Sequence, residues 1–188
     1  MKIKAAFIDR DNTLIKDNGY TFCTDDLIWA PDAITGLSLL YSLGYKLIVI
    51  TNQSGIARGY YNEEEMDTFH TFMNKDLIEK TGIMIDKFYH CPHFPYGDIK
   101  QYSKSCNCRK PGDELFQKAI LDFSIEPNHS IVIGNKVSDI IPAINQGINT
   151  GFLLQNNGNN EPLEDDWSNI IIVNNWSEII KNINNRPL

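Results

Sequence analysis

Short apolar runs that each stop on a cluster of polar side chains recur along this chain, and that alternation constrains its fold more than any other feature. Residues 4–9, 46–50 and 130–134 read as buried strands, being short, continuous and apolar. Residues 85–90 supply a fourth strand. Between them lie segments of helical spacing. Pro31 precedes a stretch that carries Leu37, Leu40, Tyr41 and Leu43 and is stopped by Gly44. Asn62, with Glu65 three residues on, predicts a capping box. It opens a helix whose Met66, Phe69, Met73 and Leu77 form a core stripe rather than a cofactor box. Further helices are expected near 113–123, 140–146 and 176–184, with outer strands at 150–154 and 169–173. Repeated strand–helix units of this kind predict an α/β fold with a doubly wound parallel sheet of Rossmann-like form. Ligands of such sheets bind beyond the carboxyl ends of the strands. The polar clusters after the strands, at Asp9, Thr51, Cys91 and Asn135, should therefore converge on one edge.

The 188 residues, 42% hydrophobic and 22% charged, fit a single domain spanning 1–188 that buries a full core without staples. No apolar run approaches the roughly 20 residues of a spanning helix. The start, Met1-Lys2-Ile3-Lys4, lacks a signal-peptide apolar region, so a cytoplasmic setting is expected. A net charge of −7 argues against a nucleic-acid or membrane-surface partner. It leaves room for an anionic small molecule held by a few local cations, and nothing demands more than a monomer. The Asn-rich residues 155–160 read as a mobile surface loop.

Four clusters carry chemistry. Asp9 and Asp11, two residues apart just past a strand, point to the same side of an extended chain. Neighbouring carboxylates repel, so a divalent cation is their natural companion, and oxygen ligands suit Mg²⁺. Thr51, Asn52, Gln53 and Ser54 open a glycine-containing turn rich in donors for phosphoryl oxygens. Arg109 and Lys110 stand ahead of a helix, where the dipole also favours an anion. Asn135 and Lys136, in the run Gly134-Asn135-Lys136-Val137-Ser138-Asp139, again follow a strand. Taken alone, each would be an ordinary turn.

A separate signal lies in the loop 91–108. Cys91 and His93, then Cys106 and Cys108, form two pairs whose spacing allows the four side chains to close around one ion. Three thiols and one imidazole with no open position are a structural Zn²⁺ arrangement. His90 and Cys23 are not needed as ligands. Cys23 reads as a small core residue, and His70 and His129 receive no role.

Four clusters in this order resemble the haloacid dehalogenase superfamily of phosphohydrolases over roughly residues 4–154. Within it, the Asp-Arg-Asp-x-Thr run, the segment 51–59 and the Cys/His loop leading into Arg-Lys-Pro are similar to the branch of heptose-1,7-bisphosphate 7-phosphatases, whose siblings are the histidinol-phosphate phosphatases. The resemblance implies a phosphoric monoester hydrolase acting on a sugar bisphosphate, with no separate cap domain. It makes Asp9 the nucleophile and Asp11 the general acid and base, with Thr51 and Lys110 on the transferred phosphoryl group. It gives Mg²⁺ to Asp9, the Asp11 carbonyl and Asn135. Substrate binding falls to Asp17, Asn18, Gly19, Tyr20, Asn52, Gln53, Ser54, Arg109 and Lys136. Asn12 replaces the Gly usual in the family, and Asn tolerates the left-handed backbone that Gly would supply. Asn135 replaces a metal-binding Asp; its amide oxygen can ligate Mg²⁺ but carries no charge. That substitution also opens an alternative, a sugar-phosphate binding protein with little turnover.

Overall fold

The computed structural model describes residues 2–155 and 168–185. In chain order the elements are β1 (Lys4–Ile8), α1 (Ala33–Ser42), β2 (Tyr45–Asn52), α2 (Ser54–Ala57), α3 (Glu63–Thr81) and β3 (Lys87–Cys91). There follow α4 (Glu114–Phe123), β4 (Ile131–Gly134), α5 (Val137–Asn145), β5 (Thr150–Leu154), β6 (Ile170–Val173) and α6 (Trp176–Asn184). Among the described residues six strands run parallel in the order β3-β2-β1-β4-β5-β6. The order reverses between β1 and β4, where Phe7 lies opposite Ile48 on one side and Val132 on the other. A crevice opens at such a switch point, beyond the strands' carboxyl ends.

Strands buried on both faces explain the continuous apolar runs. On one face Ala6, Ile8, Leu47, Val49 and Ile133 pack with Leu37 and Leu40 of α1, Phe69, Met73 and Leu77 of α3, and Trp176 and Ile179 of α6. On the other, Phe7, Ile48, Ile50 and Val132 meet Leu115, Phe116 and Ala119 of α4 and Ile140 and Ala143 of α5. Met66 leaves the main stripe and packs with Ile56 and Tyr61 in a smaller cluster beside the switch point. The capping box of α3 is formed, with Asn62 Oδ1 accepting from Glu65 N at 2.9 Å and Glu65 Oε2 from Asn62 N at 2.8 Å. Gly36 lets α1 approach α6 closely; a Cβ there would stand 2.3 Å from the Trp176 ring.

Several boundaries differ from expectation for local reasons. Strand β3 starts at Lys87 because the Asn74 side chain takes both backbone groups of Ile85 (2.8 and 3.0 Å), leaving none for the ladder. Strand β2 continues through Thr51 and Asn52, which pair with His90 and Cys91. Helix α5 begins at Val137, three residues early, because the Asp139 carboxylate accepts the Lys136 N–H at 3.0 Å and caps the first turn. Cys23, expected in the core, is exposed, and Tyr41 points outward from α1 at 53% exposure. Of the Asn-rich stretch 155–160, all but Gln155 lies outside the described residues. Among the described residues no large insertion forms a separate cap. Among the described residues no helix is long and apolar enough to cross a membrane.

Candidate active site

The floor of the crevice is Asp9. Its N–H continues the β1–β4 ladder to the Ile133 carbonyl (2.9 Å), which fixes the backbone, and its side chain is buried. Oδ1 accepts from Lys110 Nζ at 2.7 Å and Oδ2 from Thr13 Oγ1 at 3.2 Å. The chain then turns back through Asn12, at φ +59°, the left-handed conformation that a Gly would otherwise provide.

Lys110, also buried, divides its three protons among Asp9 Oδ1, Asp139 Oδ1 and the Ile50 carbonyl, each at 2.7 Å. Burial opposes its charge, but Asp139 and then Asp9 outweigh that and hold it above its ordinary value. Asp9 also lies above its ordinary value, which for a carboxylate favours the protonated form. Burial first, and then the Asp139 charge, push it up to about 7 against the pull of Lys110. Asp139 can approach this closely because residue 134 is Gly, where a Cβ would lie 2.4 Å from the Asp139 Cβ. Lys110 is itself clamped: its N–H donates to Asn52 Oδ1 and its carbonyl accepts from Asn52 Nδ2, both at 3.0 Å. Asn52, expected on substrate, thus commits both ends of its amide to the Lys110 backbone.

Asp11 stands beside Asp9 with a quarter of its side chain exposed (24%). Gln53 Nε2 donates to Asp11 Oδ2 at 2.8 Å and to Thr51 Oγ1 at 2.7 Å, while Thr51 Oγ1 lies 3.4 Å from the same Oδ2. Gln53 Oε1 accepts from Arg10 Nη2 at 3.0 Å and from Tyr61 O–H at 2.5 Å. The Gln53 amide is therefore satisfied from within the protein. Arg10, between the two aspartates, is fully buried; its Nε donates to Asp11 Oδ1 at 2.9 Å and its Nη2 pairs with that oxygen at 2.8 Å.

Above this floor opens a cleft of about 430 Å³, lined by Asp9, Asp11, Asp17, Gly19, Tyr20, Asn52, Gln53, Ser54, Arg109, Lys110, Asn135 and Lys136. Asn18 is not among its walls, and Thr51 lies beneath them. Asp17 organises its own loop: Oδ1 accepts from Gly19 N, Thr21 N and Thr21 Oγ1 at 2.8–3.2 Å. Gly19 (φ +102°) and Tyr20 (φ +62°) both take left-handed backbone there. Arg109 lies over the Phe94 ring (5.4 Å) and donates to the His93 carbonyl (3.3 Å), which anchors the guanidinium to the loop behind it. For a divalent cation the cleft offers the Asp9 carboxylate, the Asp11 carbonyl and the Asn135 carboxamide. All are hard oxygen donors, beside a carboxylate whose charge burial and Asp139 oppose, and they fit Mg²⁺.

The loop ahead of Arg109 brings Cys91, His93, Cys106 and Cys108 together with their ligand atoms within 4.8 Å of one another. The Sγ–Sγ separations are 3.1, 3.2 and 3.5 Å, and His93 Nδ1 lies 3.2 Å from Cys108 and 3.7 Å from Cys91. Four ligands at about 2.3 Å around one tetrahedral Zn²⁺ have edges of about 3.8 Å, so a small outward shift of the thiols seats the ion. The donor set therefore fits a closed metal site. All four cysteines of the chain are free thiols.

Sequence reasoning gave no role to Asp139, Arg10, Thr13, Tyr61 or His70. Asp139 carried a signal, since it lies four residues past Asn135, in the first turn of α5. Arg10 also carried one: a guanidinium directly after a buried strand and between two carboxylates is poorly placed for solvent. Tyr61 and His70 carried none, because their partners lie 8 and 60 residues away.

The chain matches the family model for polynucleotide kinase 3 phosphatase over residues 4–151. It is 40% identical over 152 residues to the D-glycero-beta-D-manno-heptose-1,7-bisphosphate 7-phosphatase of Haemophilus ducreyi, covering 81% of this chain and 83% of that one. It is 39% identical over 180 residues to the D-glycero-alpha-D-manno-heptose-1,7-bisphosphate 7-phosphatase of Photorhabdus laumondii, covering 96% of each. In fold it is similar to the D,D-heptose 1,7-bisphosphate phosphatase of B. bronchiseptica solved with magnesium and phosphate, with a TM-score of 0.80, 21% identity and coverage of 96% and 98%.

Proposed function

The chain belongs to the family of D-glycero-D-manno-heptose-1,7-bisphosphate 7-phosphatases in the haloacid dehalogenase superfamily, and on that premise we propose that it removes the 7-phosphate of a heptose 1,7-bisphosphate in a Mg²⁺-dependent reaction. One observation carries the assignment to chemistry. Asp9, held at the switch point by Lys110 at 2.7 Å, has Asp11 beside it on the open side of the same cleft.

An Asp9 oxygen forms a bond to phosphorus while the bond to the sugar O7 breaks, and the Asp11 proton goes to that leaving oxygen. Water then attacks the aspartyl-phosphate, Asp11 takes its proton, and the Asp9–phosphorus bond breaks to release inorganic phosphate. Lys110 balances the charge of Asp9 and Asp139 throughout. With its three protons engaged, it serves the phosphoryl group chiefly through its field. Asp9, the Asp11 carbonyl and Asn135 would hold Mg²⁺, which would supply charge neutralisation between the carboxylate and the phosphate it attacks. Arg109 and Lys136 on the outer wall suit the sugar or its second phosphate. The Cys91, His93, Cys106 and Cys108 site holds a structural Zn²⁺ that keeps the loop, and with it Arg109, in place.

The test is phosphate release from both anomers of the heptose bisphosphate, histidinol phosphate and simple sugar phosphates, with phosphorus NMR to identify the ester cleaved. Selective loss of the 7-phosphate is expected. Faster turnover of histidinol phosphate would move the chain to the sibling activity. Binding without Mg²⁺-dependent turnover of any substrate would favour the silent binding protein.

A further inference from the structure

Among the described residues Arg10 is the largest charged side chain that is fully enclosed, at 0% exposure, and every one of its nitrogens has a partner. Nε donates to Asp11 Oδ1 at 2.9 Å, and Nη2 pairs electrostatically with the same oxygen at 2.8 Å. Nη2 also reaches the Thr21 carbonyl at 2.9 Å and Gln53 Oε1 at 3.0 Å. Nη1 meets His70 Nε2 at 3.1 Å, and the guanidinium carbon stands 5.3 Å from the Phe69 ring centre. His70 is itself enclosed and stacked on Phe88 (centroids 4.3 Å, 11° between planes). Enclosing a permanent charge is costly unless it is fully paired. Two of its partners, Asp11 and Gln53, line the cleft, and of these only Asp11 can carry a proton.

The consequence for Asp11 is directional. A carboxylate has two lone pairs on each oxygen. Oδ1 accepts from Nε and lies 2.8 Å from Nη2 of a cation that cannot give up its charge, so a proton on Oδ1 would face that charge. On Oδ2 the Gln53 donor takes one, and Thr51 stands back at 3.4 Å. Oδ2 is thus the oxygen left to carry a proton toward the leaving group.

We propose that Arg10 is a positioning residue for proton transfer. It pins Asp11 through Oδ1 so that Oδ2 delivers and receives the proton, and it is itself held from behind by the neutral imidazole of His70. The proposal rests on the reading of Asp11 as general acid and base. It adds the reason that this carboxylate keeps one orientation although the cleft leaves it partly exposed.

The experiment compares two substrates. The heptose bisphosphate releases a sugar alkoxide that needs a proton, whereas para-nitrophenyl phosphate releases a phenolate that does not. Wild type, Arg10→Gln, Arg10→Lys, His70→Phe and His70→Gln are measured in steady state on the first and by stopped-flow on the second, with Asp11→Asn as reference. For Arg10→Gln, kcat on the sugar falls about 100-fold or more, with KM within about threefold. On the aryl phosphate a burst of about one nitrophenolate per chain is expected at close to the wild-type rate. Slow turnover then follows, because water activation still needs Asp11. Arg10→Lys recovers part of the sugar rate. His70→Phe, which removes the acceptor behind Arg10, shows the same split with a smaller loss, and His70→Gln, which keeps an acceptor, restores it. Equal losses on both substrates in folded Arg10 variants, while Asp11→Asn discriminates, would overturn the positioning role alone. Failure of Asp11→Asn to discriminate would remove the acid–base reading and the proposal together. If the Arg10 variants do not fold, the His70 pair decides, and identical behaviour of His70→Phe and His70→Gln on both substrates overturns the proposal.

Discussion

Asp9, Asp11 and Asp139 meet around one crevice, and the protein supplies Lys110 between two of them and Arg10 behind the third. Exchange of Asp9 for Asn keeps the volume and the contact with Lys110 while removing the anionic nucleophile. Turnover of Asp9→Asn should fall to background with the melting temperature unchanged or raised, because an enclosed carboxylate has gone; activity near wild type would dismiss Asp9 from its role. Asn135 raises the converse question, since it presents an uncharged oxygen where the cation needs charge. Asn135→Asp should bind Mg²⁺ more tightly, shown by calorimetric titration as well as by a lower half-maximal Mg²⁺ for turnover. Repulsion from Asp9 and Asp11 opposes the change but is outweighed once the ion is bound. Superimposable titrations would place position 135 outside the metal shell. At this scale the sequence is legible where position alone decides, as for Asp9 and Asp11 at a strand's end. It is illegible where satisfaction decides. Nothing local to Gln53 or Asn52 announces that their amides are filled by Arg10, Tyr61 and the Lys110 backbone.

Among the elements, loop 91–108 carries the largest mechanical burden. It leaves β3 at Cys91 and returns at Arg109 and Lys110, so two side chains of the cleft hang from its end. Three thiols and an imidazole crowded within 4.8 Å supply no such tether unless an ion organises them. Protein purified without chelators should carry about one Zn²⁺ per chain by metal analysis. Cys106→Ser should lose that metal, melt at lower temperature and raise KM more than it lowers kcat, because Arg109 is displaced while Asp9 is not. A metal-free wild type of unchanged stability would refute the site. The pairing of Cys91 with His93 and of Cys106 with Cys108 makes this loop readable from spacing. The start of β3 is not readable in the same way, because the Asn74 side chain captures Ile85 from 11 residues away. The early start of α5 was legible in kind. Asp139 three residues after Lys136 is a capping spacing, and the apolar pattern alone placed the helix at residue 140.

Across the whole molecule, the enclosed ionisable groups set how stability responds to pH. His70 is held well below its ordinary value of 6.5, first by burial and then by the Arg10 charge, with His90 adding in the same sense. The native state therefore keeps His70 neutral where the unfolded chain protonates it. More protons on the unfolded side mean that stability rises with pH. The contribution is complete above 6.5 and is lost as pH falls below it, down to the depressed native value. Asp9, pushed up to about 7, binds its proton in the native state and tilts the profile the other way. The two slopes offset one another in wild type, so a single melting curve against pH would look deceptively flat. Comparison with His70→Gln separates them, because Asp9 acts alike in both proteins and Gln offers Arg10 an acceptor that does not titrate. Between pH 6.5 and about pH 5.5, wild type should lose about 1 kcal/mol relative to the variant. For a chain of this size that is a relative fall in Tm of about 2–4 °C. Above about pH 7.5 the difference between the two should stop changing. Melting curves in matched buffers of fixed ionic strength measure it directly. A constant difference across the whole range would mean that His70 titrates alike in folded and unfolded chains, and that the imidazole is not the neutral acceptor that holds Arg10 in place.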